Sequence, residues 1–209
     1  MPRIAFTQIC LRSWRSAFAP MAWMAVLLLA LVRPQTARAE DLARVAPVEV
    51  RGALQVLSEV ESTRPLLAAL ESNGVRIQFS QTPAGIFARY SVAKRTIDVD
   101  QKWVGAQSET LAAVLAHESV HAVDAVNGYL SAGGSSACLD SEVRAFRASA
   151  QLWVTLYGPT GKADAADELD RQMNLIAVRQ SQDPGGLETL VRQVYTDQCN
   201  PAVVVASAT

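Results

Sequence analysis

Two histidines four residues apart give the strongest chemical signal in this 209-residue sequence. His117 and His121 are the only histidines of the chain and lie in the segment LAAVLAHESVHAVDAV. Residues with this spacing share one face of a helix, so both imidazoles can reach one metal ion. Glu118 is offset from that face and can serve as a general base without being a ligand, which is the arrangement of the HExxH pattern. The pattern predicts a zinc centre; the alternative is a helix with two core or solvated histidines.

A catalytic zinc site needs a third protein ligand, and no third histidine exists. The metzincin arrangement would require histidine at position 127 and glycine at position 124, where this chain has Asn127 and Asp124. The third ligand is therefore expected to be a carboxylate. Glu142, 21 residues after His121 and at the predicted start of the next helix, is the first candidate, and Asp140 is its rival. Either acid could instead only stabilise that helix start.

Two short segments carry a resemblance to a known group of enzymes. HESVHAVD followed by CLDSEVRAF resembles the gluzincin zinc metallopeptidases, and is similar in particular to the small ATP-synthase-assembly metallopeptidases. The resemblance covers His117 to Phe146. It implies a zincin-like fold with one Zn²⁺ per chain, bound by His117, His121 and Glu142. It also implies that Glu118 is the base in hydrolysis of peptide bonds by a zinc-activated water.

Other polar residues could assist such a site. Asp124 is three residues past His121 and could hold its second ring nitrogen, as carboxylates around metal-bound histidines do. It could equally be a solvated acid on the helix surface. Spacing does not select a donor to an oxyanion; the candidates are Tyr90, Tyr129, Arg144 and Tyr157.

Residues 1–39 have the pattern of a secretory signal peptide. Arginines without acids precede the apolar run MAWMAVLLLALV, and TARA supplies small residues for cleavage between Ala39 and Glu40. The apolar run is shorter than the roughly 20 residues of a spanning helix, although an uncleaved anchor is the alternative. We therefore expect a periplasmic or secreted protein without a stable membrane anchor after cleavage.

The predicted mature chain, residues 40–209, is acidic and contains an even pair of cysteines. The signal holds five arginines and no acid, which leaves 14 basic and 20 acidic residues, a net charge of −6. This charge gives no electrostatic reason to bind nucleic acid. Cys138 and Cys199 remain after cleavage and predict a disulfide in an exported chain. Two unpaired buried thiols are the alternative.

The elements that must position these residues follow from apolar periodicity. After an irregular lead-in over 40–51, a helical segment runs from Ala53 to Gly74 and breaks near Pro65. VRIQFS and two short runs in GIFARYSVAKRTIDVD, around a turn near 93–94, predict a small antiparallel sheet. The metal-binding helix runs from Ser108 to about Asn127.

The segment SAGGSSACLD is expected to be a loop. It leads into a helix capped by Asp140 or Ser141, followed by helices near 163–180 and 187–198.

Together these features predict an α+β fold, with one compact, mainly helical zincin-like domain over 40–209. The expected function is that of an exported zinc metallopeptidase acting on a peptide or protein substrate, with TIDVD as the sheet edge that pairs with it. One alternative is a catalytically silent zincin scaffold that binds or assembles partners in the cell envelope. Another is a metal-free helical interaction domain.

Overall fold

The computed structural model describes residues 42, 46–132, 134–165 and 167–200. The predicted signal peptide over 1–39 lies outside these residues. Most of the described chain is helical, and the rest includes one small sheet, so the expected α+β class is confirmed. The helices are α1 Val48–Glu59, α2 Arg64–Ser72, α3 Ser108–Val126, α4 Tyr129–Ala132, α5 Gly134–Tyr157, α6 Glu168–Gln182 and α7 Pro184–Tyr195. The strands are β1 Arg76–Ser80, β2 Ala88–Ser91 and β3 Thr96–Asp100.

The first two helices meet at the break predicted near Pro65. Helix α1 ends at Glu59, and α2 begins at Arg64 with the proline in its first turn, where a missing N–H costs no helical hydrogen bond. Between them the buried Thr63 hydroxyl donates to the Leu57 carbonyl oxygen at 2.7 Å. The irregular lead-in is shorter than predicted, because α1 begins at Val48.

The sheet is mixed, and the prediction of an antiparallel sheet is wrong for one of its two strand pairs. Strand order is β1-β3-β2; β2 pairs antiparallel with β3, but β1 pairs parallel with it. The connection after β1 crosses the end of β3, where the Thr82 hydroxyl bonds the Asp100 carboxylate. It therefore carries the chain to the far edge of β3. TIDVD is consequently the central strand and not an edge, and β1 and β2 are the edges of the sheet.

Helix α3 forms the centre of the molecule. Every residue from Thr110 to Ala122 is buried, because α1, α2, α5 and β2 pack around this helix. A helix enclosed on all sides is apolar on all sides, which explains the uncharged residues around the two histidines. Near its start, Thr110 donates to the buried Asp170 of α6 at 2.6 Å, and Lys162 pairs with the same carboxylate at 2.6 Å.

The segment SAGGSSACLD is largely helical, so the loop prediction is wrong. Helix α5 begins at Gly134, and Asp140 and Ser141 lie inside it rather than at its cap. Gly and Ser are weak helix formers, but Ala137 is buried in this first part of α5 and Cys138 is disulfide-bonded. Tertiary contacts therefore outweigh the local preference for a loop.

The C-terminal helices are fixed by aspartate caps and by a disulfide. Asp167 accepts a bond from the Asp170 N–H at 2.9 Å, and Asp183 accepts from the Gly186 N–H at 2.8 Å, so α6 begins later and α7 earlier than predicted. The predicted Cys138–Cys199 disulfide is confirmed, with an S–S distance of 2.01 Å. It ties the segment after α7 to α5. None of the described helices combines the length and apolarity needed to cross a membrane.

Candidate metal centre

Three buried side chains from α3 and α5 converge on one point. His117 and His121 project from successive turns of α3, and Glu142 faces them from α5. One potential ligand atom from each residue lies within 4.8 Å of the other two. Among the described residues, this is the one group of three or more such side chains that could hold a metal ion.

The distances among these atoms fit a tetrahedral ion. The two Nε2 atoms are 3.2 Å apart, and Glu142 oxygens lie 3.5 Å from His117 Nε2 and 3.6 Å from His121 Nε2. Two ligands each about 2.0–2.1 Å from a tetrahedral zinc ion are about 3.4 Å apart. Within the described part of the chain, the buried Glu142 Oε2 atom also has no hydrogen-bond partner. The residues present therefore fit a divalent ion held by two imidazoles and one carboxylate.

The electrostatic environment favours neutral imidazoles. Burial lowers the pKa of His117 well below its usual value, and the neighbouring His121 lowers it further. Burial lowers the pKa of His121 to about 4, against the opposing charge of Asp124. Since a metal binds the deprotonated ring nitrogen, both histidines are held in the form that a ligand needs.

The two glutamates of the site interact through their charges. Burial raises the pKa of Glu142 well above its usual value, and the negative charge of Glu118 raises it further. Glu118 is fully buried on α3 between the two histidines. A divalent cation bound beside these two buried carboxylates would favour their ionised forms.

Asp124 acts on His121 through an intervening serine. His121 Nδ1 lies 2.8 Å from Ser141 Oγ, and that hydroxyl donates to Asp124 Oδ2 at 2.6 Å. Arg144 Nη2 donates to the same Asp124 oxygen at 2.8 Å. Of the two roles open to Asp124, a direct partner of the ring nitrogen or a solvated acid, the structure shows neither, because Asp124 is buried and Ser141 lies between it and the ring. The sequence pattern predicts only a capping role for Ser141, and the signal for a role in the site is its position immediately before Glu142.

The rival third ligand, Asp140, lies outside the cluster. Its carboxylate accepts from Arg192 at 2.5 Å and from the Tyr129 hydroxyl at 3.2 Å. Those bonds hold the pKa of Asp140 below its usual value, the Arg192 bond most of all. Asp140 is thus engaged with α7 and α4, while Glu142 two residues later faces the histidines.

An aromatic side chain, which the sequence did not single out, forms one wall of the site. The Phe146 ring meets the His117 ring edge to face, with centroids 4.8 Å apart, and also packs against Tyr195 of α7 at 5.5 Å. Phe146 follows Glu142 by one helical turn. The C-terminal helix α7 therefore closes the site through this ring pair.

The candidate oxyanion donors are distributed around the molecule. Tyr157 lies at the far end of α5, about 22 Å along the helix from Glu142, and packs on Trp153. Tyr90 is buried in β2. Tyr129 and Arg144 lie beside the site, with the guanidinium 4.3 Å from the ring centroid. Arg144 is connected to the site through its ion pair with Asp124.

The site is closed to solvent in this conformation. His117 and Glu142 are 1% exposed, and His121 and Glu118 are 0% exposed. A bound ion would therefore be shielded from water, which strengthens its electrostatic interactions with these side chains.

Comparisons of this chain with protein-family models, with curated proteins and with solved structures gave no match.

Proposed function

We propose that this chain is an exported zinc-dependent metallopeptidase of zincin-like architecture. One observation carries the proposal: His117, His121 and Glu142 converge at separations suited to a tetrahedral ion, with Glu118 on the same helical turn. Two histidines and one glutamate are a ligand set of catalytic zinc sites that leave a fourth position open. The Cys138–Cys199 disulfide supports export, because disulfides persist in oxidising compartments.

In this proposal the protein residues divide the chemistry between them. A zinc ion supplies Lewis acidity, which lowers the pKa of water and polarises a carbonyl oxygen. Glu118 accepts the proton from the attacking water and delivers it to the leaving nitrogen of the peptide bond. His117, His121 and Glu142 hold the ion and do not exchange protons during turnover.

A Glu118→Gln variant tests the role of the base. It keeps the shape of the side chain but removes its basicity, so zinc should remain bound while peptide hydrolysis falls by about 10²–10⁴-fold. The loss should appear in kcat more than in KM, because the proton moves in the transition state. Hydrolysis would be measured on a peptide library by mass spectrometry, and zinc content by elemental analysis.

Glu109→Gln is the matched control for this experiment. Glu109 lies in the first turn of the same helix, more than two turns before Glu118, and its substitution should leave hydrolysis unchanged. A Glu118→Gln protein that cleaves at the wild-type rate would exclude Glu118 as the base.

The burial of the site favours one second candidate: a catalytically silent metal-binding scaffold that binds or assembles partners in the cell envelope. All four site side chains are at most 1% exposed, and a scaffold needs no substrate path. The same library separates the two functions. Zinc-loaded wild type that cleaves no peptide would favour the scaffold, whereas cleavage abolished by Glu118→Gln would favour the peptidase.

A further inference from the structure

A buried chain of hydrogen bonds connects His121 to a surface arginine. It runs from His121 Nδ1 to Ser141 Oγ at 2.8 Å, and from there to Asp124 Oδ2 at 2.6 Å. Arg144 ends it with a 2.8 Å bond to the same carboxylate oxygen. Ser141 and His121 are 0% exposed, whereas the Arg144 side chain is 40% exposed. The chain thus links the interior of the site to the outside of α5.

The proton positions along this chain follow from donor and acceptor capacity. An ionised carboxylate can only accept hydrogen bonds, and a serine hydroxyl has a single proton to donate. Asp124 is paired with the Arg144 guanidinium, so the Ser141 proton is directed to Asp124. Ser141 Oγ is then an acceptor toward His121 Nδ1. The ring must therefore carry its proton on Nδ1 and a lone pair on Nε2, the atom 3.2 Å from His117 Nε2.

We propose that Ser141 is a positioning residue that fixes the metal-binding tautomer of His121, with Asp124 and Arg144 setting the direction of its hydroxyl. The inference rests on the metal centre of the proposed function. Ser141 immediately precedes Glu142 on α5. One turn of that helix therefore supplies the third ligand and also orients the second one, which lies on another helix.

Two other buried serines show that this orientation is not a general property of serine in these helices. Ser119 donates to the Leu115 carbonyl oxygen of its own helix at 2.6 Å, and Ser149 donates to the Phe146 carbonyl oxygen at 3.1 Å. Both hydroxyls follow the usual bonding of a helical serine back to the preceding turn. The Ser141 hydroxyl instead bonds two side chains from α3.

The test is nitrogen NMR of the metal-free protein labelled with ¹⁵N-histidine. The whole sequence contains two histidines, so two imidazoles are observed, and His117→Asn assigns them. We expect His121 to be protonated at Nδ1 and bare at Nε2 in the wild type. Ser141→Ala should give a mixture of tautomers, and Ser149→Ala, the matched control on the same helix, should not change the ring. Asp124→Asn should favour the opposite tautomer, because an amide can donate to Ser141 and release its proton toward His121.

Zinc affinity provides a second readout, measured by competition with a chromophoric chelator. Loss of a partner that orients a metal-binding histidine typically costs about 10–100-fold in affinity, so Ser141→Ala should weaken zinc binding by this factor and Ser149→Ala should not. Wild-type His121 protonated at Nε2 would overturn the inference without any variant having to fold. Equal tautomer populations and equal zinc affinity in wild type and Ser141→Ala would also overturn it. The protein could show the expected tautomers and zinc affinities and still cleave no peptide. That result would contradict the proposed peptidase function but not the role of Ser141.

Discussion

The candidate ligands are buried in forms that a cation would stabilise. Burial lowers the pKa of both histidines, which favours neutral rings, and raises the pKa of Glu142, which favours the protonated carboxyl group. A divalent ion reverses this preference at Glu142, because it attracts the ionised carboxylate. At any pH at which Glu142 carries a proton in the metal-free protein, metal binding should therefore release that proton.

The assignment of the third ligand predicts opposite effects for two acids two residues apart. Glu142→Ala should lower zinc affinity severely, because it removes one of the three proposed ligands. Asp140→Ala should leave zinc affinity unchanged, since its carboxylate is engaged with Arg192 and Tyr129. Chelator competition measures both variants. If Asp140→Ala lost the metal and Glu142→Ala retained it, the ligand would have to be reassigned.

The raised pKa of Glu142 predicts a pH-dependent stability of the metal-free protein. The folded state keeps a proton that the unfolded chain releases above about pH 4.5, so stability falls as pH rises from there through the raised pKa. The histidines act in the other direction. The pKa of His121 falls from 6.5 to about 4 on folding, so its contribution is lost as pH falls between these values.

Glu142→Gln removes the pH dependence of stability that comes from Glu142 and keeps the one that comes from the histidines. In urea denaturation of chelator-treated protein, the stability of this variant relative to wild type should increase as the pH is raised from about 4.5 to neutral. Each tenfold change in proton affinity corresponds to about 1.4 kcal/mol. A constant difference across this range would mean that Glu142 is not held protonated by burial.

At the level of elements, the site depends on how α3 and α5 pack together. Helix α3 contributes two candidate ligands and the candidate base, and α5 contributes the third candidate ligand, the serine that contacts His121 and the Phe146 wall. Each helix is tied to a C-terminal helix: α3 through the Thr110–Asp170 bond to α6, and α5 through the Arg192–Asp140 ion pair to α7. The C-terminal helices therefore position the site without supplying a ligand to it.

The disulfide should stabilise this packing. Cys138 precedes Glu142 by one helical turn and holds the segment after α7 against α5. Replacing both cysteines with alanine should lower the free energy of unfolding by about 4 kcal/mol, which the chain-entropy model gives for a closed loop of this length. Zinc affinity should fall less than it does in Glu142→Ala, because all three ligands remain. Reduced wild type is the control and should match the double variant; equal stability of oxidised and reduced protein would contradict the prediction.

At the level of the whole molecule, metal binding should be coupled to global stability. The candidate ligands come from two helices, α3 and α5, and α3 is buried without interruption from Thr110 to Ala122. An ion that binds only the folded state stabilises it by mass action, by about 2.7 kcal/mol at a concentration 100 times its Kd. Because the site is closed to solvent, chelators should also remove the ion slowly.

Zinc should accordingly raise the melting temperature of the chelator-treated protein by roughly 5–10 °C at that concentration. His121→Ala is the matched control and should show no such increase. Mg²⁺ should also have no effect, because it prefers oxygen ligands in octahedral geometry. Calorimetry measures the melting temperatures. An equal increase in the His121→Ala variant would mean that zinc binds elsewhere in the chain.

Local pattern was sufficient for several features of this protein. The spacing of His117 and His121 identified two adjacent positions on one helix, and Pro65 marked the boundary between α1 and α2. The two cysteines left after the predicted signal predicted the disulfide. The helix features depend on residues a few positions apart, and two cysteines allow only one pairing. Rules that use the local sequence alone are therefore enough to predict them.

The tertiary structure decided what depends on contacts between distant segments. Packing extended α5 back to Gly134, where glycine and serine favour a loop, and it thereby set which acid faces the histidines: Glu142 does, and Asp140 turns to Arg192. The crossing after β1 made the sheet mixed. Ser141 contacts His121, 20 residues earlier in the sequence, only because α3 and α5 pack side by side. No local period encodes such contacts, since their energy comes from surfaces that meet only in the folded chain.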